Sequence, residues 1–191
     1  MNFSAVILAG GKSSRMGRDK AFLEISGQTL LARQIQTARA AGAMEIFISG
    51  RADADYSAFG CGVLKDNYPD GGPLAGIEAA LAAATHPLLL VLAVDLPEMN
   101  VEFLRQLSTN CKPNTGVVPR IGDELEPLAA FYPKAAQSLA ATFLGKHSNA
   151  VKYFAGCCAQ NSLVVLVDFP KLHGRLFRNC NTPDEFFVAG R

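Results

Sequence analysis

The chain has 191 residues, 49% of them hydrophobic and 18% charged, with a formal net charge of +1. That length suits a single domain spanning residues 1–191 around one core, and so balanced a charge excludes the broadly basic surface of a general nucleic-acid binder. No run approaches the ~20 apolar residues of a membrane span and no leader pattern opens the chain, so a cytoplasmic protein without membrane contact is expected.

Phe3-Ser4-Ala5-Val6-Ile7-Leu8 reads as a buried strand, and Gly10-Gly11 as the turn at its carboxyl end. Without a Cβ, glycine lets backbone N–H groups face a ligand closely. Lys12, Arg15 and Lys20 add positive charge around that turn, the equipment of an anion site. Neither stock phosphate loop fits: the full P-loop register is not met, and the adjacent Gly10 and Gly11 have no third glycine in register. Thr29 to Ala41 has helical apolar spacing and stops at Gly42, and Glu45 to Ser49 then reads as a strand closed by Gly50. A short strand, Val63-Leu64-Lys65, leads into the turn Asn67 to Gly72, after which Pro73 opens an alanine-rich helix, Leu74 to Ala84. Leu88 to Ala93 is a continuous apolar strand of the kind buried on both faces.

Asn100 caps a helix through Leu107. Gly116 to Pro119 and Leu128 to Tyr132 read as strands of a hairpin around Gly122-Asp123, Ala135 to Leu144 as a helix, and Leu163 to Val167 as a strand. Thr182-Pro183-Asp184-Glu185 has the form of a capped helix start, with Phe186, Phe187 and Val188 available to pack on a sheet. The alternation predicts an α/β fold: one Rossmann-like domain, its mostly parallel sheet covered by helices on both faces. Five cysteines, Cys61, Cys111, Cys157, Cys158 and Cys180, form no Cys-x-x-Cys pair and read as reduced thiols, with Cys157-Cys158 as the alternative reactive pair. His86, His147 and His173 are too scattered for a metal set.

Ligands of open parallel sheets bind beyond the carboxyl ends of strands. That rule gathers Gly10, Gly11, Ser49, Asp66 and Asp95 into one candidate cleft. Asp95 is the leading candidate, a carboxylate where a buried strand emerges before Pro97. It suits either a turn-initiating role or Mg²⁺, which is commonly held by one or two carboxylates and substrate phosphates. Asp66 is equally suited to a turn and to a ligand contact.

Leu8-Ala9-Gly10-Gly11-x-Ser13-x-Arg15-Met16-Gly17-x-Asp19-Lys20 resembles the signature of the molybdenum cofactor guanylyltransferases, the MobA-like nucleotidyltransferases. Gly72-Pro73-Leu74-Ala75-Gly76, Ala93-Val94-Asp95-Leu96-Pro97 and Asn181-Thr182-Pro183-Asp184-Glu185 resemble the family's later segments, in order along nearly the whole chain. The resemblance implies a fold like that of the nucleotide-diphospho-sugar transferases, with the nucleotide on the N-terminal half and the acceptor on the C-terminal half, near Glu126-Pro127-Leu128. It implies GTP and the molybdopterin cofactor as substrates, Mg²⁺ on Asp95, and transient contact with proteins that deliver the cofactor or mature molybdoenzymes. Arg15, Lys20 and Asp95 take the catalytic roles, and Leu8, Ala9, Gly10, Gly11, Lys20, Asp66, Gly76 and Asp95 bind nucleotide; the Gly72–Gly76 segment marks close backbone packing near a helix start, with Gly76 leaving room for the purine. Ser49 stands where some members carry an asparagine that contacts nucleotide, a departure from the pattern. Asn181 suits either the site or the capping turn before Thr182. The alternatives are a CTP-dependent molybdopterin cytidylyltransferase, another small-phosphate nucleotidyltransferase, and a non-catalytic nucleotide-binding module. Gly10-Gly11 favours the guanylyl group, since CTP-using relatives more often show Ala-Ala-Gly there.

Overall fold

The structure, a computed structural model, describes residues 2–10 and 20–179. The expected Gly11, Lys12 and Arg15 contacts and the helix start at Thr182 lie outside them. In chain order the strands and helices are β1 (Phe3–Leu8), β2 (Glu24–Ile25), β3 (Gln28–Thr29), α1 (Leu30–Ala41), β4 (Ala43–Ser49), β5 (Gly62–Leu64), α2 (Gly72–Ala83) and β6 (Leu88–Ala93). They continue with α3 (Val101–Ser108), β7 (Gly116–Ile121), β8 (Glu124–Leu125), β9 (Ala129–Pro133), α4 (Gln137–Gly145), α5 (Val151–Gln160) and β10 (Val164–Phe169).

The main sheet runs β10-β7-β9-β6-β1-β4-β5, with β8 paired to β7. Parallel pairing joins β1 to β4 and β6, β4 to β5, and β10 to β7, while β9 is antiparallel to both neighbours. Every residue of β1 and β6 is buried, because helices cover both faces. Ala5, Ile7, Leu90 and Leu92 face α1 and α3, whereas Val6, Leu8, Leu89 and Val91 face α2, α4 and α5. The predicted α/β sheet with two helical layers is therefore the observed one.

Local chemistry explains the element ends. The Thr29 hydroxyl accepts from the Ala32 N–H at 3.2 Å to start α1, and Gly42 ends it at φ 111°, a conformation favouring glycine. The Asn100 side chain caps α3 by accepting from the Phe103 N–H at 2.9 Å. The hairpin expected at Gly122-Asp123 forms between β7 and the short β8. Its return strand is interrupted: the Glu126 N–H donates to the Pro119 carbonyl at 3.0 Å, and β9 begins only at Ala129. Pro127 supplies no N–H to continue the ladder. The sequence reading had no counterpart of α5. No helix among the described residues is long and apolar enough to cross a membrane.

Candidate active site

The carboxyl ends of β6, β1 and β4 are stitched together by backbone hydrogen bonds. The Val94 N–H donates to the Leu8 carbonyl at 3.1 Å, and the Ala9 and Gly10 N–H groups both donate to the Ser49 carbonyl, at 2.7 and 3.1 Å. This corrects one expectation. The N–H groups of Ala9 and Gly10 are engaged by β4 and do not stand open to a phosphate.

Over the β1, β4 and β5 ends lies a cavity of about 710 Å³, floored by Leu8, Gly10, Ser49 and Asp66 and walled by Gly50–Asp53, Asp70 and Gly72-Pro73. The volume is that of a small-molecule site. Ser49 is 5% exposed, and its hydroxyl donates to Asp66 Oδ1 at 3.4 Å. Burial pushes the Asp66 carboxyl up, the Ser49 hydrogen bond opposes the rise, and the Glu78 carboxylate adds to it, leaving the group above its ordinary range.

Gly76 is buried and does not line the cavity. A Cβ there would stand 2.2 Å from Ser49 Oγ and 2.9 Å from Leu8 Cδ2. The glycine thus brings α2 onto the strand ends that form the floor, in line with the close backbone packing expected of the Gly72–Gly76 segment.

Asp95 is placed one strand away from the cavity, beyond β6. The structure therefore brings Gly10, Ser49 and Asp66 together as expected and sets Asp95 beside them on the β6 side. Lys20 Nζ lies 3.5 Å from Asp95 Oδ2, the two side chains being 18% and 24% exposed. A residue at the start of a short 3₁₀ turn, Lys20–Phe22, thereby meets the end of β6. Among the described residues no three His, Cys, Asp or Glu side chains gather as a metal cage. Asp95 offers one carboxylate, a donor set that suits an Mg²⁺ completed by substrate phosphates and water.

Three features escaped the sequence reading. Arg51 and Asp53 form a bidentate pair on the cavity wall, Nε to Oδ1 at 2.9 Å and Nη2 to Oδ2 at 2.6 Å. Tyr56, 2% exposed, accepts from the Arg51 N–H at 3.0 Å and stacks on Phe22 with ring centroids 5.7 Å apart, so the wall leans on the Lys20 turn. Glu78, 3% exposed, lies within α2. Its signal was present, as the lone charge in Leu74 to Ala84. On the other half, the Ala93 N–H donates to the Leu128 carbonyl at 2.8 Å, which brings Glu126-Pro127-Leu128 to the strand end carrying Asp95. Burial raises the Glu126 carboxyl, against the pull of Lys152 and with the push of Glu124.

Residues 5–153 match the MobA-like NTP transferase domain. The probable molybdenum cofactor guanylyltransferase of Opitutus terrae is 36% identical over 185 residues, covering 95% of this chain and 92% of that protein. The molybdenum cofactor guanylyltransferase of Syntrophotalea carbinolica is 31% identical over 186 residues, covering 96% and 88%. Among solved structures, the molybdopterin-guanine dinucleotide biosynthesis protein A of Archaeoglobus fulgidus superposes with a TM-score of 0.72 at 22% identity, covering 99% of this chain and 96% of that one. At that identity the likeness speaks for the fold alone.

Proposed function

The chain belongs to the MobA-like NTP transferase family, and from that membership we propose that it transfers GMP from GTP to the phosphate of the molybdenum-loaded molybdopterin cofactor, releasing pyrophosphate. The observation that carries this reading is the pairing of Lys20 with Asp95 beside a nucleotide-sized cavity, in a chain similar along its length to proteins named for that reaction.

In this reading the cavity holds the guanosine, with Asp66 on its floor, and the triphosphate runs toward Lys20. An oxygen of the cofactor phosphate attacks the α-phosphorus in line. A new P–O bond forms there as the bond to the β-phosphate breaks, and the electron pair leaves on pyrophosphate. Little covalent work falls to the protein, so positioning and charge stabilisation dominate. Lys20 offsets charge gathering on the leaving pyrophosphate, a role shared in this reading by Arg15, which with Gly11 lies outside the described residues. Asp95 would hold Mg²⁺, which supplies charge neutralisation on phosphate oxygens when bound. The Glu126–Leu128 turn lies on the acceptor side. Transient contact with cofactor-delivering or molybdoenzyme-maturing proteins follows from the same reading. So does a cytoplasmic setting, in keeping with the free thiols of Cys61, Cys111, Cys157 and Cys158.

The test is pyrophosphate release with molybdenum-loaded molybdopterin, comparing GTP, CTP, ATP and UTP. A pocket built on polar contacts to guanine rejects a base that leaves them unpaired, so GTP should lead by a wide margin. Equal turnover with CTP and GTP would overturn the guanylyl reading.

A further inference from the structure

The proposed chemistry leaves one buried charge unused. Glu78, 3% exposed, lies within an otherwise apolar stretch of α2. Its Oε1 accepts from Gln137 Nε2 at 2.6 Å, and its Oε2 accepts from Asn67 Nδ2 at 3.1 Å. Neither partner is a cation, and no ion pair to Glu78 occurs among the described residues. A buried carboxylate without a cation is costly, and an apolar side chain would suit the packing of an alanine-rich helix better. Core stability therefore does not explain its presence.

Its partners suggest an explanation. Asn67 follows Asp66, the carboxylate on the cavity floor, and Gln137 opens α4. The hydrogen bond described to the Asp66 side chain is the long 3.4 Å contact from Ser49, a weak tether for a ligand-facing group. The stronger constraint falls on the next residue. Hydrogen bonds to an ionised acceptor are shorter and stronger than neutral ones, so Glu78 anchors the corner between β5 and α2 to two helices at once.

We infer that Glu78 is a positioning residue for nucleotide binding: through Asn67 it fixes Asp66 in the orientation that meets the nucleotide, and through Gln137 it ties that corner to α4. This rests on the reading of the cavity as a nucleotide site. Lys20 and Asp95 stand on other elements, so losing the anchor weakens binding far more than turnover.

The experiment compares Glu78→Gln, Asn67→Ala, Asp66→Asn and the Glu78→Gln/Asp66→Asn double variant, by calorimetric titration with GTP and Mg²⁺ and by steady-state kinetics. Glu78→Gln removes the charge and turns one acceptor into a donor facing an amide donor. GTP affinity should fall about tenfold, the equivalent of ~1.4 kcal/mol, with KM rising in step and kcat within about twofold. Asn67 is exposed, so Asn67→Ala should fold normally and shift affinity in the same direction. In the Asp66→Asn background, Glu78→Gln should add less than about twofold, because residues acting through one another are non-additive. A folded Glu78→Gln with unchanged affinity, or one whose full effect persists without the Asp66 charge, overturns the inference. Should Glu78→Gln not fold, unchanged GTP affinity in Asn67→Ala does so alone. A wild-type protein that binds CTP in place of GTP would fail the guanylyl reading only, since the same ratios are then read with CTP. One that binds neither removes both.

Discussion

The two ends of the β1–β4–β6 sheet centre each carry a polar cluster, and they are finished differently. At the end opposite the cavity, Glu45 Oε2 accepts from the Ser4 hydroxyl at 2.6 Å, the Thr85 N–H at 3.1 Å and the Thr85 hydroxyl at 3.3 Å. His86 Nδ1 lies 3.1 Å from the Ser4 hydroxyl and 3.2 Å from that of Thr85. Both hydroxyl hydrogens already go to Glu45, so His86 is left to donate from Nδ1. Burial pushes the Glu45 carboxyl up, but these hydrogen bonds and His86 outweigh it and leave the group below its ordinary range. At the cavity end, burial wins instead and Asp66 is raised. A carboxylate saturated by its own neighbours closes a structure, whereas one desolvated on a cavity floor, with a single long hydrogen bond among the described residues, gains most from a ligand.

The contrast breaks most visibly at Asp95. If the open end performs the chemistry, Asp95→Asn should fold and lose two to three powers of ten in turnover, roughly 3–4 kcal/mol of transition-state stabilisation. The loss should be largest at limiting Mg²⁺, and chelation of Mg²⁺ should silence the wild type. Near-normal kcat in a folded Asp95→Asn would remove this residue from the site.

Next in size is Lys20→Ala. With its cation placed at the outer phosphates, GTP affinity should fall by about ten- to a hundredfold, some 1.4–2.8 kcal/mol, while GMP affinity barely moves. Equal losses for GTP and GMP in calorimetry would place Lys20 away from the triphosphate.

How much of this the sequence disclosed follows from the range of each interaction. β1 and β6 were legible because burial on both faces demands predominantly apolar runs, broken only by Ser4 in β1, and α1 because Thr29 and Gly42 punctuate it locally. α5 was not, since Ala150 gives it no side-chain cap and Gly156 within it weakens the local helical preference; Phe154, Ala155 and Cys158 hold it by packing into the core. Asp66 and Asp95 stood out as carboxylates at strand ends. Their separation, with Asp66 on the cavity floor and Asp95 a strand away, depends on the order of β6, β1 and β4 and on register, which no local pattern encodes. Close packing at the Gly72–Gly76 segment was legible, but not what Gly76 packs against, which is set by Ser49 and Leu8 on β4 and β1.

Gly76→Ala tests whether the floor depends on that close approach. The new methyl would have to displace Ser49 Oγ, 2.2 Å away, and Leu8 Cδ2, 2.9 Å away, and neither is the far end of a long flexible chain. Overpacking of this kind costs about 1–3 kcal/mol, readable in urea unfolding. Because Ser49 also donates to Asp66, GTP affinity should fall too. Wild-type stability together with wild-type affinity would show that the floor adapts freely.

The smallest effect belongs to the closed end. Ser4 is fully buried, and Ser4→Ala removes the shortest hydrogen bond to Glu45 while leaving both donors of Thr85 in place. The loss should be about 1 kcal/mol at neutral pH, with kcat and KM unchanged because the cluster lies at the other end of the strands. The pH dependence has a definite sign. The folded-state pKa of Glu45 is depressed, so its contribution is complete above the unfolded carboxylate value of about 4.3 and is lost as pH falls through the lower folded value. Ser4→Ala lifts that folded value, and the stability gap from wild type should therefore narrow as unfolding is measured at progressively lower pH. A gap that widens in acid would contradict the assignment of Glu45 as the ionised acceptor. A tenfold drop in turnover at neutral pH would show that the two ends are coupled, and the distinction between a closed cluster and an open one would then fail.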